Sequence, residues 1–389
     1  MKTKPILILS SVLCLSGPAM LFAAAFDSGS DGSYGALTVG YNIITNLDMP
    51  PDGIFKCTTI TIGSSAQVYF NRNARNTPVY LLAQSNVVIH GTINLLGGDY
   101  SGSNPGRGGP GGFDGGFGTV QGYAASDGQG PGGGKVSGSG NRAGVFAYPR
   151  AQNSNIYGNT LLVPLVGGSG GAGSAELAAG GGGGGGAIVV ASSVAITIIN
   201  HGYNNILARG GIGGYTGDSR SSGDGSGGAV RLVAPVVTGD GNVAASGGNY
   251  FYPGSPGRIR IDTLDRFAWR NISVSGNGEK WTVGSQMYVF PPNNPHLDIV
   301  EAAGQAIAEG TDAVVLVPLL PGASTNQVIK IKATGFTNDV PVTVSIVPEA
   351  GPSTRFDGVI SIAGGTPVTG SVNVIIPVDS FCNVSVWTR

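Results

Sequence analysis

Few side chains in this 389-residue sequence could move a proton, hold a metal or attack a carbonyl. There are three histidines and five glutamates, and the aspartates are scattered. The nearest approaches to an acid pair are Asp218 with Asp224, around Arg220, and Asp262 with Asp265. Paired carboxylates are what cleavage of a glycosidic bond uses, but loop and strand-end solvation accounts for both pairs. Asp27 and Asp31 lie among small residues without the acidic closing position of a calcium loop, so they read as a capped turn. No two ligands sit at zinc spacing, and no glycine loop is followed by the Lys-Ser/Thr of a phosphate cradle. The sequence therefore assigns no catalytic, cofactor-binding or metal-binding residue, and no cofactor.

Stepping from those residues to the chain that must place them, the composition excludes further classes. Charged residues make up 11% and the net charge is −1, so no long-range field steers the chain to nucleic acid or to anionic lipid. Residues 1–25 carry Lys2 and Lys4, an apolar stretch and a small-residue site ending at Ala25, the pattern of a secretory signal peptide cleaved before Phe26. No membrane span is expected once it is removed, and the destination is extracellular, cell-surface or periplasmic. Leu13 before Cys14 is too bulky for a lipidation site. The remaining Cys57 and Cys382 read as two isolated, largely buried thiols, with pairing left open.

From Thr58 the pattern is β: short runs rich in Val, Ile, Thr and Tyr between Gly, Asn and Ser, with almost nothing helical. About 49 of the 69 glycines fall between Gly97 and Gly257. They lack the strict third-residue period of collagen, and runs such as Ala187–Ile199 and Ala229–Pro235 need burial.

An internal repeat organises these segments. Residues 77–98, 185–211 and 227–248 each run as an apolar strand ending in Ala, a second short strand, an x-Gly corner, a third strand and a Gly-Gly exit. A further, degenerate copy starts at Gly257. A unit of about 22 residues with three strands is the size of one coil of a parallel β-helix, and four or five coils are expected. His90-Gly91, His201-Gly202 and Asp240-Gly241 align at the corner, where glycine is expected to supply a positive φ. His90 beside Gly91 looks like the Gly-His-Gly of polygalacturonases, but its repeat position makes it a turn residue.

Three glycine-rich insertions leave after the Gly-Gly exits, at 99–184, 212–226 and 249–256, and are expected to lie against one another on one side. The longest has the composition of extended polyglycine segments. In it Phe113, Phe117, Tyr123, Phe146, Tyr148 and Tyr157 are expected to anchor the chain or, alternatively, to stack on sugars. The predicted organisation is all-β: a β-helix over 26–265 with the 99–184 insertion, a cap and linker over 266–296, and a small immunoglobulin-like sandwich over 297–389.

Over about Leu37 to Thr263 the chain resembles the glycine-rich, right-handed parallel β-helix proteins exported by bacteria, which share a pectin-lyase-like scaffold. The units "PVYLLA…IHGTINLLGG", "GGAIVVAS" and "GGAVRLVAP" carry that resemblance. It implies the fold and leaves function open, because the scaffold hosts enzymes, adhesins and structural proteins. The enzymes' chemistry needs clustered or paired acids. This chain has no Asp-Asp pair, and Arg258-Ile259-Arg260 matches their Arg-Ile-Lys in part.

The leading expectation is a non-enzymatic secreted or cell-surface protein whose glycine-rich face binds a polysaccharide or other surface component, or self-associates. The alternative is a polysaccharide lyase or glycoside hydrolase using Asp218, Asp224, Arg220 or Asp262. A third is ice binding, which asks for a regular threonine array.

Overall fold

The computed structural model describes residues 26–120, 122–136, 142–150, 153–176, 178–215, 220–275, 280–292, 294–309, 315–319, 322–348, 352–378 and 380–388. The expected leader at 1–25 lies outside these residues, as do Asp218 and Glu279. The chain is nearly all β. Among the described residues there is no α-helix, and no helix is long and apolar enough to cross a membrane.

The first part consists of β1 (Gly35–Val39), β2 (Ile44–Asp48), β3 (Ile54–Ile62), β4 (Gln67–Asn71), β5 (Val79–Ala83), β6 (Val87–Ile89), β7 (Thr92–Asn94), β8 (Ala187–Ser192), β9 (Ala195–Ile198), β10 (Ile206–Leu207), β11 (Ala229–Ala234), β12 (Val236–Gly239), β13 (Asn242–Ala244), β14 (Arg258–Thr263), β15 (Ser273–Ser275) and β16 (Lys280–Gly284). Every pairing among them is parallel. Ten strands form one curled sheet, ordered β12-β9-β6-β3-β5-β8-β11-β14-β16 with β1 also on β3, and six form a second, β15-β13-β10-β7-β4-β2. The bend lies in β3, whose Ile54–Cys57 half pairs with β5 and whose Ile60–Ile62 half pairs with β6. Register follows the repeat: Val79, Ile188 and Val230 stand in one column, as do Val87, Ile196 and Val237.

Inward residues of all these strands meet in one core that includes Phe55, Ile60, Ile93, Val190, Leu232 and Ile261. Strands β8 and β11 are buried on both faces, because Phe146, Tyr157, Leu162 and Leu165 of the long insertion and Val289 cover their outer side. That explains why these two strands are apolar throughout instead of alternating. The stretch 266–296, expected as cap and linker, contains β15 and β16, which continue both parallel sheets.

After it, β17 (His296–Ala302), β18 (Gln305–Ala306), β19 (Asn326–Thr334), β20 (Val340–Pro348), β21 (Thr354–Ile360), β22 (Val368–Ile375) and β23 (Cys382–Thr388) form two antiparallel sheets, β18-β17-β19-β22 and β21-β20-β23. Ile329, Ile331, Val342, Val344 and Val372 form a core between them.

The glycine segments are ordered. Each N–H from Gly180 to Gly186 donates to another segment, in a three-residue cycle. Gly180, Gly183 and Gly186 donate to Gly102, Gly98 and Leu95; Gly181 and Gly184 to Gly116 and Phe113; Gly182 and Gly185 to Gly223 and Ser226. Their carbonyls accept in the same cycle, from Gly214, Gly211 and Ala229, from Gly106 and Gly109, and from Gly171 and Gly168. A period of three is that of an extended threefold helix, which makes no hydrogen bonds within itself and so offers every group sideways. A β-carbon at any of the seven positions would come nearer than 3.0 Å to a neighbouring carbonyl oxygen. All three insertions share this layer: the Gly182 N–H donates to Gly223, and the Asp224 N–H donates to Tyr252.

Gly183→Ala drives a methyl into the Arg107 carbonyl, a backbone atom that cannot turn aside. It is expected to cost about 3 kcal/mol or more. Gly364→Ala, whose β-carbon meets nothing within 4 Å, is expected to change stability by less than about 0.5 kcal/mol. Urea unfolding of the two variants checks this, and equal effects would contradict the packed glycine layer.

Candidate functional site

Insertion tips converge on one edge of the glycine layer, and each brings an aromatic residue there. Tyr100 follows the exit Gly97-Gly98, Tyr215 follows Gly210-Gly211, and Tyr250 and Phe251 follow Gly247-Gly248. Tyr215 and Tyr250 meet edge to face with ring centroids 4.2 Å apart, and Phe251 lies 6.0 Å from Tyr215. The Tyr100 ring packs against Gly214. These four side chains remain 37–52% exposed, and neighbouring exposed rings of this kind can form a contact surface. The sequence carries a signal for them in addition to the repeat: "GGDY" at 97–100 and "GGNY" at 247–250 put an aromatic at the same place after two exits.

Two carboxylates lock the tips together. Asp99 Oδ1 accepts the Ile212 N–H at 2.8 Å. Asp224 Oδ1 accepts the Gly213 N–H at 2.7 Å, and its Oδ2 accepts the Tyr250 N–H at 2.6 Å. Asp224, expected to be solvated in a loop, is 1% exposed. Burial pushes its carboxyl up to about 6, against the two backbone donors, and the Asp99 charge adds to the rise. Of its expected partners, Asp218 lies outside the described residues, and the Arg220 carbonyl accepts from Ser174 Oγ.

Asp262 is not solvated at a strand end either. It is fully buried, bound to Arg231 Nε at 3.0 Å and to Arg260 Nε and Nη2 at 2.8 and 2.7 Å, and it accepts the Gln286 N–H at 2.9 Å. Both oxygens are occupied, so it holds strands β11 and β14 to the segment after β16. Asp265 instead accepts the N–H groups of Phe267 and Ala268.

His90 and His201 come close, with ring centroids 6.4 Å apart, but they do not share a repeat position. Ile89 is in register with Ile198 and Gly239, so His90 matches Ile199 and Asp240, and His201-Gly202 falls in an extra loop. Gly202 has the expected positive φ, at 89°, but Gly91 and Gly241 do not. Glycine is needed there because a β-carbon would strike the Ala66 carbonyl at one and the Asn205 amide at the other. Among the described residues no group of three or more His, Cys, Asp or Glu is placed to hold a metal ion.

Cys57 is buried, with burial raising its thiol to about 11, and the half-buried Cys382 thiol donates to the Ser380 carbonyl. Asp27 and Asp31 accept the N–H groups of Gly29 and Ser33 as turn caps. Of the insertion's aromatics, Phe146 stacks on Tyr157 in the buried cover and Phe113 packs edge-on against Trp387, whereas Tyr123 and Tyr148 are exposed. Parallel register also lines up Thr38, Thr61, Val88, Thr197 and Thr238 in one outward column, beside Asn86, Ala195 and Val236 in the next.

Compared with protein-family models, curated proteins and solved structures, the chain finds no match.

The raised Asp224 carboxyl fixes a sign for pH. Between pH 6 and 4 the folded chain holds the Asp224 proton while the unfolded chain has lost it, so this group's contribution to stability rises as pH falls through that window. The gain is about 2–3 kcal/mol across it. Asp31 runs the other way: the Ser33 hydroxyl and N–H hold it down to about 2, and its contribution, present above pH 4, is lost below that. Asp224→Asn is expected to flatten the pH 4–6 limb of a thermal-melting profile, and an unchanged slope would count against the buried carboxylate.

Proposed function

We propose that the protein is a secreted or cell-surface adhesive protein that binds a polysaccharide through the aromatic rim of its glycine layer. On this reading the parallel part is a right-handed β-helix like those of glycine-rich exported bacterial proteins. The two antiparallel sheets are an immunoglobulin-like support, and residues 1–25 are a cleaved leader.

The observation that carries the proposal is the cluster of Tyr100, Tyr215, Tyr250 and Phe251, exposed yet held by a hydrogen-bonded backbone. Sugar rings present C–H faces that stack on aromatic rings while their hydroxyls stay hydrated, and a rigid platform loses little entropy on binding. The rigidity has a source: the tips grow from a layer whose glycine backbones bond in three directions, and Asp99 and Asp224 tie one tip to the next.

The support also lies against this layer. Ser345 Oγ donates to Gln129 Oε1 at 2.6 Å, Gln129 Nε2 donates to Ser353 Oγ, and Phe113 packs edge-on against Trp387. The antiparallel sheets thus cover part of the glycine face, which leaves the rim as the part offered to a ligand. Asp262, locked between two guanidiniums, and Asp224, spent on two backbone donors, speak for binding rather than hydrolysis.

Glycan-array binding followed by isothermal titration of the best ligand tests this. Tyr215→Ala and Tyr250→Ala are each expected to weaken affinity about three- to tenfold with unchanged melting temperature. Because the two rings touch, the double variant should lose less than the product. Wild-type protein that binds no glycan, or variants that bind as wild type, would end the proposal.

A further inference from the structure

The parallel strands stand in columns that end openly and in complementary ways. One column runs from the Ile54–Cys57 half of β3 through β5, β8, β11 and β14 to β16, and another from β2 through β4, β7, β10 and β13 to β15. Among the described residues no strand lies beyond β2 or that half of β3 at the first end, or beyond β15 and β16 at the last. Such edges offer backbone groups to a further strand. The remaining column, which ends on β12, is met there by the 3-10 turn Ala268–Asn271.

The first end has a vacancy beside the free edge of β3. It is a groove of about 390 Å³ lined by Tyr34, Pro50, Pro51, Asp52, Ile54 and Lys56. Along this edge the Lys56 carbonyl accepts the Tyr34 N–H and the Ile54 N–H donates to Asp52 Oδ1, but no strand pairs with Ile54–Cys57 on that side. Tyr34 is 46% exposed, and its ring is held edge-on to the buried Phe55, 5.2 Å away, so this wall of the groove is preformed.

Register identifies the strand that fits. Trp281 of β16 pairs with Ile259, Ile259 with Val230, Val230 with Ile188 and Ile188 with Val79. Tyr80 pairs with Ile54, so the column of Trp281 starts at Gly53 and that of Thr282 at Ile54. One more step of the same ladder therefore lays β16 of a second copy along the groove. Ile259 and Val230 are buried in this column, whereas Trp281, with nothing after it, is 46% exposed. In the other column Val274 of β15 and Thr45 of β2 are the two ends of one row, with Ser273 and Ile44 beside them.

The ends also differ in charge. Asp31, Asp48 and Asp52 are exposed at the first, where Lys56 is already paired with Asp31. Arg266 and Arg270 are exposed at the last, where Asp265 accepts the N–H groups of Phe267 and Ala268. Opposite signs favour one end meeting the other and disfavour like ends meeting.

We propose that copies of this chain stack head to tail, β16 of one copy entering the groove on β3 of the next and β15 pairing with β2. The contact joins two different surfaces, so it does not close at two copies and extends into a filament. It uses the ends of the parallel columns and does not rest on what the aromatic rim binds.

Sedimentation velocity of the full mature chain across a concentration series tests this. The average mass is expected to climb past that of a dimer without a plateau. Ile44→Lys places a charge on an exposed edge position and is expected to shift the chain to monomer with its melting temperature unchanged. Ile44→Cys and Ser273→Cys, combined with Cys382→Ser, should give a ladder of disulfide-linked oligomers on oxidation. The two positions are at opposite ends of one column and become neighbours only between copies, at a spacing a disulfide spans. A monomer at every concentration, a closed dimer, or oligomers that never cross-link through positions 44 and 273 would overturn the proposal.

Discussion

A backbone amide buried away from water must find a partner, and along residues 180–186 of the glycine layer that partner belongs to another segment. Between Gly180 and Gly186 seven N–H groups and seven carbonyls are all bonded outward. The bonds run to six surrounding stretches: 95–102, 106–109, 113–116, 168–171, 211–214 and 223–229. Apart from Ser222 Oγ, which also donates to the Gly180 carbonyl, these contacts are backbone to backbone, and the space for a β-carbon is gone. Nearly half the protein's organisation follows from this packing. The long insertion cannot be a floppy loop, the shorter insertions must lie beside it, and larger residues are driven to the margins of the layer.

Those margins do different work. On one, Phe146, Tyr157, Leu162 and Leu165 fold back over the sheet and bury the outer face of β8 and β11. This traps Arg231, Arg260 and Asp262 in a setting where an unpaired ion would be costly, and the two guanidiniums share the one carboxylate. On a second, Gln129 and Phe113 meet Ser345, Ser353 and Trp387 of the antiparallel sheets. The third carries the exposed tyrosines, so a rigid support and a free aromatic surface come from the same constraint.

Much of the fold was legible. The repeat placed Val79, Ile188 and Val230 alike, and parallel pairing in that register follows from three copies with one strand order. The corner at His201-Gly202 misled, because two His-Gly pairs 111 residues apart look equivalent in a linear alignment while the ladder aligns His90 with Ile199. Glycine's role differs among the three positions: Gly202 has the expected positive φ, whereas at Gly91 the reason is the nearness of the Ala66 carbonyl, and a neighbouring layer is invisible to a dihedral argument. Asp224 and Asp262 looked solvated because nothing near them in sequence covers them. Their covers come from Tyr250 and Gly213 in one case and from Arg231 and Gln286 in the other.

By itself the sequence determined the β character, the repeat length, the exits at Gly97, Gly210 and Gly247, and the scarcity of groups able to do acid–base chemistry. These are properties of composition and of period along one chain. What the tertiary structure alone decided is which carbonyl each glycine faces, which charges are buried together, and which aromatic rings stay open to solvent. Such facts depend on the distance between segments remote in sequence, and a stretch of glycine, identical at every position, carries no side-chain pattern from which those neighbours could be read.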